Sequence, residues 1–283
     1  MRYTREGVEL NVEIDGPQDG IPVVLLHGVS GSVRTYDWLP AEITAGRWII
    51  RVDLRGHGAS GHAPGRYLIE HYGEDVAAIL RDVVGRPAVL VGHSLGGVVS
   101  WWVAQRYPEL VRAAFLEDPP LYMGEPDEHK GNGIAAIFPL LRDRAIAWRR
   151  AGVEADRAAA LLAAEAYIPD GSIRVRDVIF DDALFAEADA HLRMDPDVLT
   201  VAANGSTLAA TNTSAPIEVP VLILAADESL GAAFSSAHQA RLGRSHPRVE
   251  VVRVSGAGHR IHDSRASRDD YAARLDGFLR CHA

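Results

Sequence analysis

A serine flanked by small residues is the first place in this sequence where chemistry could be done. The run Val91-Gly92-His93-Ser94-Leu95-Gly96-Gly97 holds a Gly-x-Ser-x-Gly pattern. It lies between a short apolar run, Ala88 to Val91, and a stretch with helical spacing that continues through Tyr107. A tight strand-to-helix turn strains the backbone, so it needs Gly92 and Gly96 on either side of the serine. Such a turn lifts the hydroxyl clear of the strand and points it at a helix N-terminus, where free N–H groups favour negative charge. The Leu95 N–H is then the first donor for an oxyanion. An idle serine in a structural turn is the bland alternative; the strand before and the helix after favour the nucleophile.

A serine hydroxyl does not ionise alone near neutral pH, so a base must take its proton and an acid must orient that base. Of the 12 histidines, His259 lies in the Gly-rich run Gly256-Ala257-Gly258-His259 after the last strand-like segment. His262, three residues on, is its rival. Acid candidates follow two strand-like runs: Asp118 after Ala113 to Leu116, and Asp227, with Glu228 beside it, after Pro220 to Leu224. Glu117 is a weaker third, because adjacent strand residues point opposite ways.

The elements that must position these groups can be read from periodicity. Val8 to Ile14 alternates like a half-exposed strand, while Pro22 to Leu26 is a continuous apolar run, as in a strand buried on both faces. Trp48 to Val52, Ala88 to Val91 and Ala113 to Leu116 follow, with helical spacing from about Ile69 to Val84 between them. This alternation predicts an α/β fold, a mostly parallel sheet with helices on both faces and its site at the carboxyl ends of the strands. After Pro119-Pro120 the rhythm breaks into helix-like pieces: Gly133 to Arg150, Glu154 to Tyr167, Ile173 to Leu192 and Asp197 to Ala209. Strands resume at Pro220 to Leu224 and Val249 to Val254. The expected organisation is a core of residues 1–120 and 216–283, with a helical lid, 121–215, inserted between the sixth and seventh strands.

Leu25-Leu26-His27-Gly28, Asp53-Leu54-Arg55-Gly56-His57-Gly58-Ala59-Ser60, Gly92 to Gly97 and Gly256 to His259 together resemble the α/β-hydrolase superfamily in order and spacing. The resemblance covers the chain outside the lid, and is specific for fold but weak for substrate. It implies Ser94 as nucleophile, His259 as general base and the Val29 N–H as second oxyanion donor beside Leu95. His27, His57 and His93 belong to structural turns in relatives. Most relatives carry the acid after the strand that is here Pro220 to Leu224, and their usual position falls on Ser229. A minority, including haloalkane dehalogenases and a zearalenone-type lactonase, carry it one strand earlier. Ungapped extension from Ser94 through Tyr107-Pro108-Glu109 places that acid on Asp118. Some bacterial relatives also pair Asp-Pro-Pro here with Ala-Asp-x-x-x-Gly later, as Ala226-Asp227-Glu228-Ser229-Leu230-Gly231 does. Asp118 is preferred and Asp227 stays the alternative.

The chemistry implied is acyl transfer on a small-molecule ester or lactone. Serine, and not aspartate, at the elbow argues against dehalogenase or epoxide hydrolase chemistry. Carbon–carbon bond hydrolases and cofactor-free oxygenases or perhydrolases would share the triad, and a non-catalytic receptor could keep the pocket. Leu121, Tyr122, Phe138 and Trp148 are the expected pocket residues, with Met123, Ile137 and Phe185 as further apolar candidates; Trp38, Trp101 and Trp102 are expected in the core. A formal charge of -9 argues against nucleic acid as a partner. No motif calls for a metal or other cofactor. Cys281 sits in a terminal tail, a poor place to hold a nucleophile rigid. The N-terminal residues lack a secretory apolar core, and no apolar run approaches the roughly 20 residues of a membrane span, so the expected location is cytoplasmic. Oligomeric state is not readable.

Overall fold

The computed structural model describes residues 1–131, 133–168 and 170–282. Its strands are β1 (Arg2–Arg5), β2 (Val8–Asp15), β3 (Ile21–Leu26), β4 (Arg47–Val52), β5 (Ala88–His93), β6 (Val111–Glu117), β7 (Val221–Ala225) and β8 (Glu250–Arg253). They form one 8-stranded sheet in the order β1-β2-β4-β3-β5-β6-β7-β8. The β1/β2 and β2/β4 pairs are antiparallel, and every other pair is parallel.

Alternate residues of the central strands feed two separate cores. Val24, Leu26 and Leu90 pack on one face of the sheet, and Val23, Leu25, Val89 and Val91 on the other. That period of two, with apolar residues in both phases, is why these strands read as unbroken apolar runs. Helices α1 (Ala41–Thr44), α2 (Ile69–Ile79) and α3 (Leu95–Arg106) connect the strands up to β6. Trp101 is fully buried on α3, Trp102 packs against the same core, and Trp38 borders the opposite one.

Between β6 and β7 the elements among the described residues are helices, joined by loops: α4 (Pro126–Gly131), α5 (Gly133–Arg150), α6 (Ala155–Ala164), α7 (Val175–Val178), α8 (Asp181–Arg193) and α9 (Pro196–Ala203). Two departures from the sequence pattern have local causes. The helical spacing of Ile173 to Leu192 splits into α7 and α8 because Ile179 leaves the helix to make a β-bridge with Ser264. The piece from Glu154 ends at Ala164, since Ala166 bridges back to Arg174. These helices have a small core of their own, with Ala158 and Leu162 of α6 packed on Leu184 and Ala188 of α8. Helices α10 (Ser236–Ser245) and α11 (Arg268–His282) complete the fold. Among the described residues, no helix is long and apolar enough to cross a membrane.

Candidate active site

The sheet register sets the site. In the parallel β5/β6 pair, His93 stands opposite Glu117, so the next residues, Ser94 and Asp118, leave the strand ends side by side. Their backbones remain tied to the sheet: Ser94 N–H donates to Glu117 O (2.9 Å) and Asp118 N–H to Leu224 O (2.7 Å). Both residues take positive φ, +51° and +40°, a strained conformation for a residue with a Cβ and a common mark of functional turns. The Ser94 turn is possible because Gly92 and Gly96 pack face to face. A Cβ on Gly92 would lie 2.3 Å from the Gly96 carbonyl oxygen.

Ser94 Oγ lies 3.0 Å from His259 Nε2, and His259 Nδ1 lies 2.7 Å from Asp118 Oδ2. A carboxylate only accepts, so Nδ1 carries the proton and Nε2 is left bare toward the serine hydroxyl. Asp118 is fully buried, yet its two oxygens also accept the N–H groups of Ala226 (3.1 Å), Phe234 (3.1 Å) and Ala233 (2.6 Å). These bonds occupy the lone pairs of a carboxyl group taken out of water. The arrangement can pass a proton from Ser94 to His259 while Asp118 steadies the resulting imidazolium.

Asp227 bonds elsewhere, away from His259. Its carboxylate accepts from Ser229 N–H (3.0 Å), Ser229 Oγ (2.7 Å) and Gly256 N–H (2.9 Å). It caps the short 3-10 turn at Glu228–Leu230 and ties it to the loop that carries His259. Those three bonds hold its carboxyl below the ordinary aspartate value.

The two expected oxyanion donors flank the serine. Leu95 opens α3, so its N–H has no acceptor within the helix. The Val29 N–H lies between two carbonyls that are pinned from outside. His27 Nδ1 donates to Gly28 O (2.7 Å), while Leu54 N–H donates to His27 Nε2 (3.0 Å). Burial and the neighbouring His57 hold His27 down at about 3, so the ring is neutral. On the other side, His57 Nε2 reaches Val29 O (2.9 Å). Gly28 must lack a side chain, since its Cβ would fall 2.6 Å from His93 Nδ1 and 3.3 Å from Ser94 Cβ.

A model of the Alpha/beta hydrolase family matches residues 23–274. The chain belongs to that family. Among similar proteins, 2-(acetamidomethylene)succinate hydrolase of Mesorhizobium japonicum is 29% identical over 263 residues, covering 90% of this chain and 87% of that one. Among solved structures, an E-2-(acetamidomethylene)succinate hydrolase superposes with a TM-score of 0.75 at 24% identity, covering 99% of this chain and 98% of that one. The enol-lactonase of Burkholderia xenovorans gives 0.72 at 20% identity, with 99% of each chain covered. At such identities the two structural likenesses speak for the fold.

In this alpha/beta hydrolase, Ser94 and His259 open into a cavity of about 660 Å³ whose far walls come from α5, α6 and the segment after α6. A smaller apolar recess of about 30 Å³ adjoins it, lined by Val29, Leu95, Met123, Phe138 and Leu208. Phe138 lines both, and Ile137 the larger. Three expected pocket residues do not line either space. Leu121 is buried in the main core. Tyr122 is clamped between the His238 ring (4.8 Å) and the Arg241 guanidinium (4.3 Å). Trp148 turns away, packing on the core of α6 and α8. Phe185 also lies elsewhere, under Arg34. Position after β6 and apolar character could not say which way these rings face; packing decides that.

Charged groups in the same cavity were missed. Arg144, Glu165, Glu187 and Arg260 all line it. Arg144 was visible as a break in an apolar helix stripe, and Arg260 by its place beside His259. His262, the rival base, lies behind the site. Its N–H and Nδ1 both bind Glu117, at 3.0 and 2.6 Å. His93, Glu117 and His262 also form the one group of potential metal ligands found among the described residues, and the Glu117 and His262 atoms there already bond each other.

Proposed function

We propose that this alpha/beta hydrolase is a serine hydrolase that cleaves a small carboxylic ester or lactone through an acyl-enzyme on Ser94. The single observation that carries the reading is the continuous line Ser94 Oγ, His259, Asp118, with separations of 3.0 and 2.7 Å. In this reading Ser94 Oγ attacks the carbonyl carbon while His259 Nε2 takes its proton. The tetrahedral oxyanion sits between the Val29 and Leu95 N–H groups. Collapse expels the alkoxide, which takes the proton from His259. A water, deprotonated by His259, then attacks the acyl-enzyme and releases the acid.

The test is hydrolysis of 4-nitrophenyl butyrate together with labelling by a serine-directed fluorophosphonate. The expected result is turnover and one label, both abolished in Ser94→Ala. Labelling of Ser94 with no turnover of any ester or lactone would move the chemistry to carbon–carbon cleavage or cofactor-free oxygen chemistry. Absence of both would leave a binding protein.

A further inference from the structure

Beside Leu140, the cavity-facing side of α5 carries Ile134, Ile137, Phe138, Leu141 and then Arg144. The steps of three and four residues place all five on one helix face. Four are apolar. The fifth is a cation where the pattern calls for another apolar side chain, and its long stem and charge need an account.

Its partners inside the protein do not supply one. Nη1 of Arg144 donates to Glu165 Oε1 at 3.0 Å, but the Glu165 side chain is 49% exposed, so that pair is screened and weak. Nη2 reaches His191 Nδ1 at a long 3.4 Å. His191 is neutral, because burial and the surrounding arginines hold it down at about 4. Nε of Arg144 is buried without a hydrogen-bond partner. Arg260, the other cation of the cavity, differs. It donates to Glu187 Oε2 and lies 3.3 Å from Asp263 Oδ2, and those side chains are only 17% and 9% exposed. Its charge is met by direct bonds inside the protein, whereas Arg144 is bonded to the half-exposed Glu165 and meets the buried Glu187, already paired with Arg260, only through space. Trp148 lies under the Arg144 guanidinium at 5.1 Å, which steadies it in place.

We propose that Arg144 is the anion-reading group of the substrate cavity, and that the ester or lactone cleaved at Ser94 carries a carboxylate at its far end. A carboxylate matches the planar fork of the guanidinium. Glu165 and Glu187 line the same cavity and favour this single charge over a doubly charged phosphate. The apolar stripe between Ser94 and Arg144 then covers the carbon chain joining the two ends.

This proposal rests on the reading of Ser94 as the nucleophile, and the experiment separates the two. The substrates are 4-nitrophenyl hexanoate and 4-nitrophenyl hydrogen adipate, acyl chains of equal length with and without the terminal carboxylate. Rates with Ser94→Ala serve as background. The wild-type enzyme is expected to favour the adipate ester by about tenfold or more in kcat/KM, the order expected of one charge-assisted contact. In Arg144→Met the preference collapses toward one, with the loss falling mainly on the adipate ester, while Arg144→Lys keeps part of it. Arg150→Met, an exposed change on the same helix, keeps the wild-type ratio. A wild-type ratio near or below one overturns the proposal with no variant needed, as does a preference that survives in Arg144→Met. Failure of both esters to turn over above background is a failure of the serine hydrolase reading instead.

Discussion

Two carboxylate–imidazole pairs lie back to back at the end of the sheet, and each is built from residues beside those of the other. Asp118 binds His259; Glu117, one residue earlier, binds His262. The strand alternation that sends Asp118 toward Ser94 sends Glu117 to the opposite face. There His262 is stacked by Tyr36 (5.9 Å) and Trp38 (6.4 Å) and closed off by Tyr271. The bond lengths barely differ, 2.7 against 2.6 Å. What differs is the second nitrogen. His259 Nε2 faces a hydroxyl at a cavity wall, whereas His262 Nε2 is buried with the Asp263 carboxylate 3.2 Å away and no nucleophile beside it. Residue type and pairing geometry are therefore not enough to locate a catalytic dyad. Access of the free nitrogen to a nucleophile and a cavity distinguishes the front pair from the back one.

The sharpest way to break that contrast is to remove the charge from each carboxylate. Asp118→Asn at the front is expected to cut kcat by about 10³- to 10⁴-fold while leaving the fold intact, because the amide favours the wrong imidazole tautomer. Asp227→Asn, which touches only a capping carboxylate, should keep most of the activity. Steady-state hydrolysis of 4-nitrophenyl butyrate by the two variants settles it, and the reverse ranking would return the acid to the later loop.

Glu117→Gln at the back should act on stability first. Glu117 and His262 are 0% and 1% exposed, and breaking a buried pair of this kind costs about 3 kcal/mol. Burial pushes His262 down, but the nearby Asp263 and Glu117 charges outweigh it and raise the ring above its ordinary 6.5. Arg260, His93, Tyr36 and Tyr271 are the other titratable groups around it. A raised value in the folded state means that this stabilisation is complete below about pH 6.5 and is lost as pH climbs through the folded value. The stability gap between wild type and Glu117→Gln, from urea unfolding, should be widest near pH 6 and narrow toward pH 9. A gap that widened with pH would show that His262 is not held protonated.

The same contrast explains what could be read before the structure. Strand positions follow from apolar runs, and the strand–turn–helix context singles out Ser94, because those signals are local. That Asp118 and not Asp227 meets His259 depends on the β5/β6 register and on the path of the loop after β7, neither of which is local. Spacing left both open, and only resemblance to some relatives favoured Asp118. The cavity was least legible. Phe138 lines it, but Leu121, Tyr122 and Trp148 turn away, and Arg144 turns in, because helix-on-helix packing between β6 and β7 decides which faces meet the site.

The smallest expected effect concerns the residue that lies between the two pairs. The His93 ring is 4.9 Å from both the His259 and the His262 rings, and its Nε2 lies 3.1 Å from the His259 carbonyl oxygen. A carbonyl only accepts, so Nε2 carries the proton and His93 holds the main chain of the proposed base. Burial, and then the neighbouring His259 and His262, keep the ring well below its ordinary value and therefore neutral. His93 also lines the cavity, but its donor is committed to the His259 carbonyl, so the expected role is that of a positioning residue acting through His259. His93→Leu removes the donor and should lower kcat by about tenfold, the equivalent of ~1.4 kcal/mol of barrier, with KM little changed. His93→Gln can place an amide N–H near the same carbonyl and should recover most of that loss. If His93→Leu and His93→Gln fall equally, the ring matters as packing and not as a donor. If neither falls, His259 is held by Asp118 alone, and the front pair owes nothing to the back.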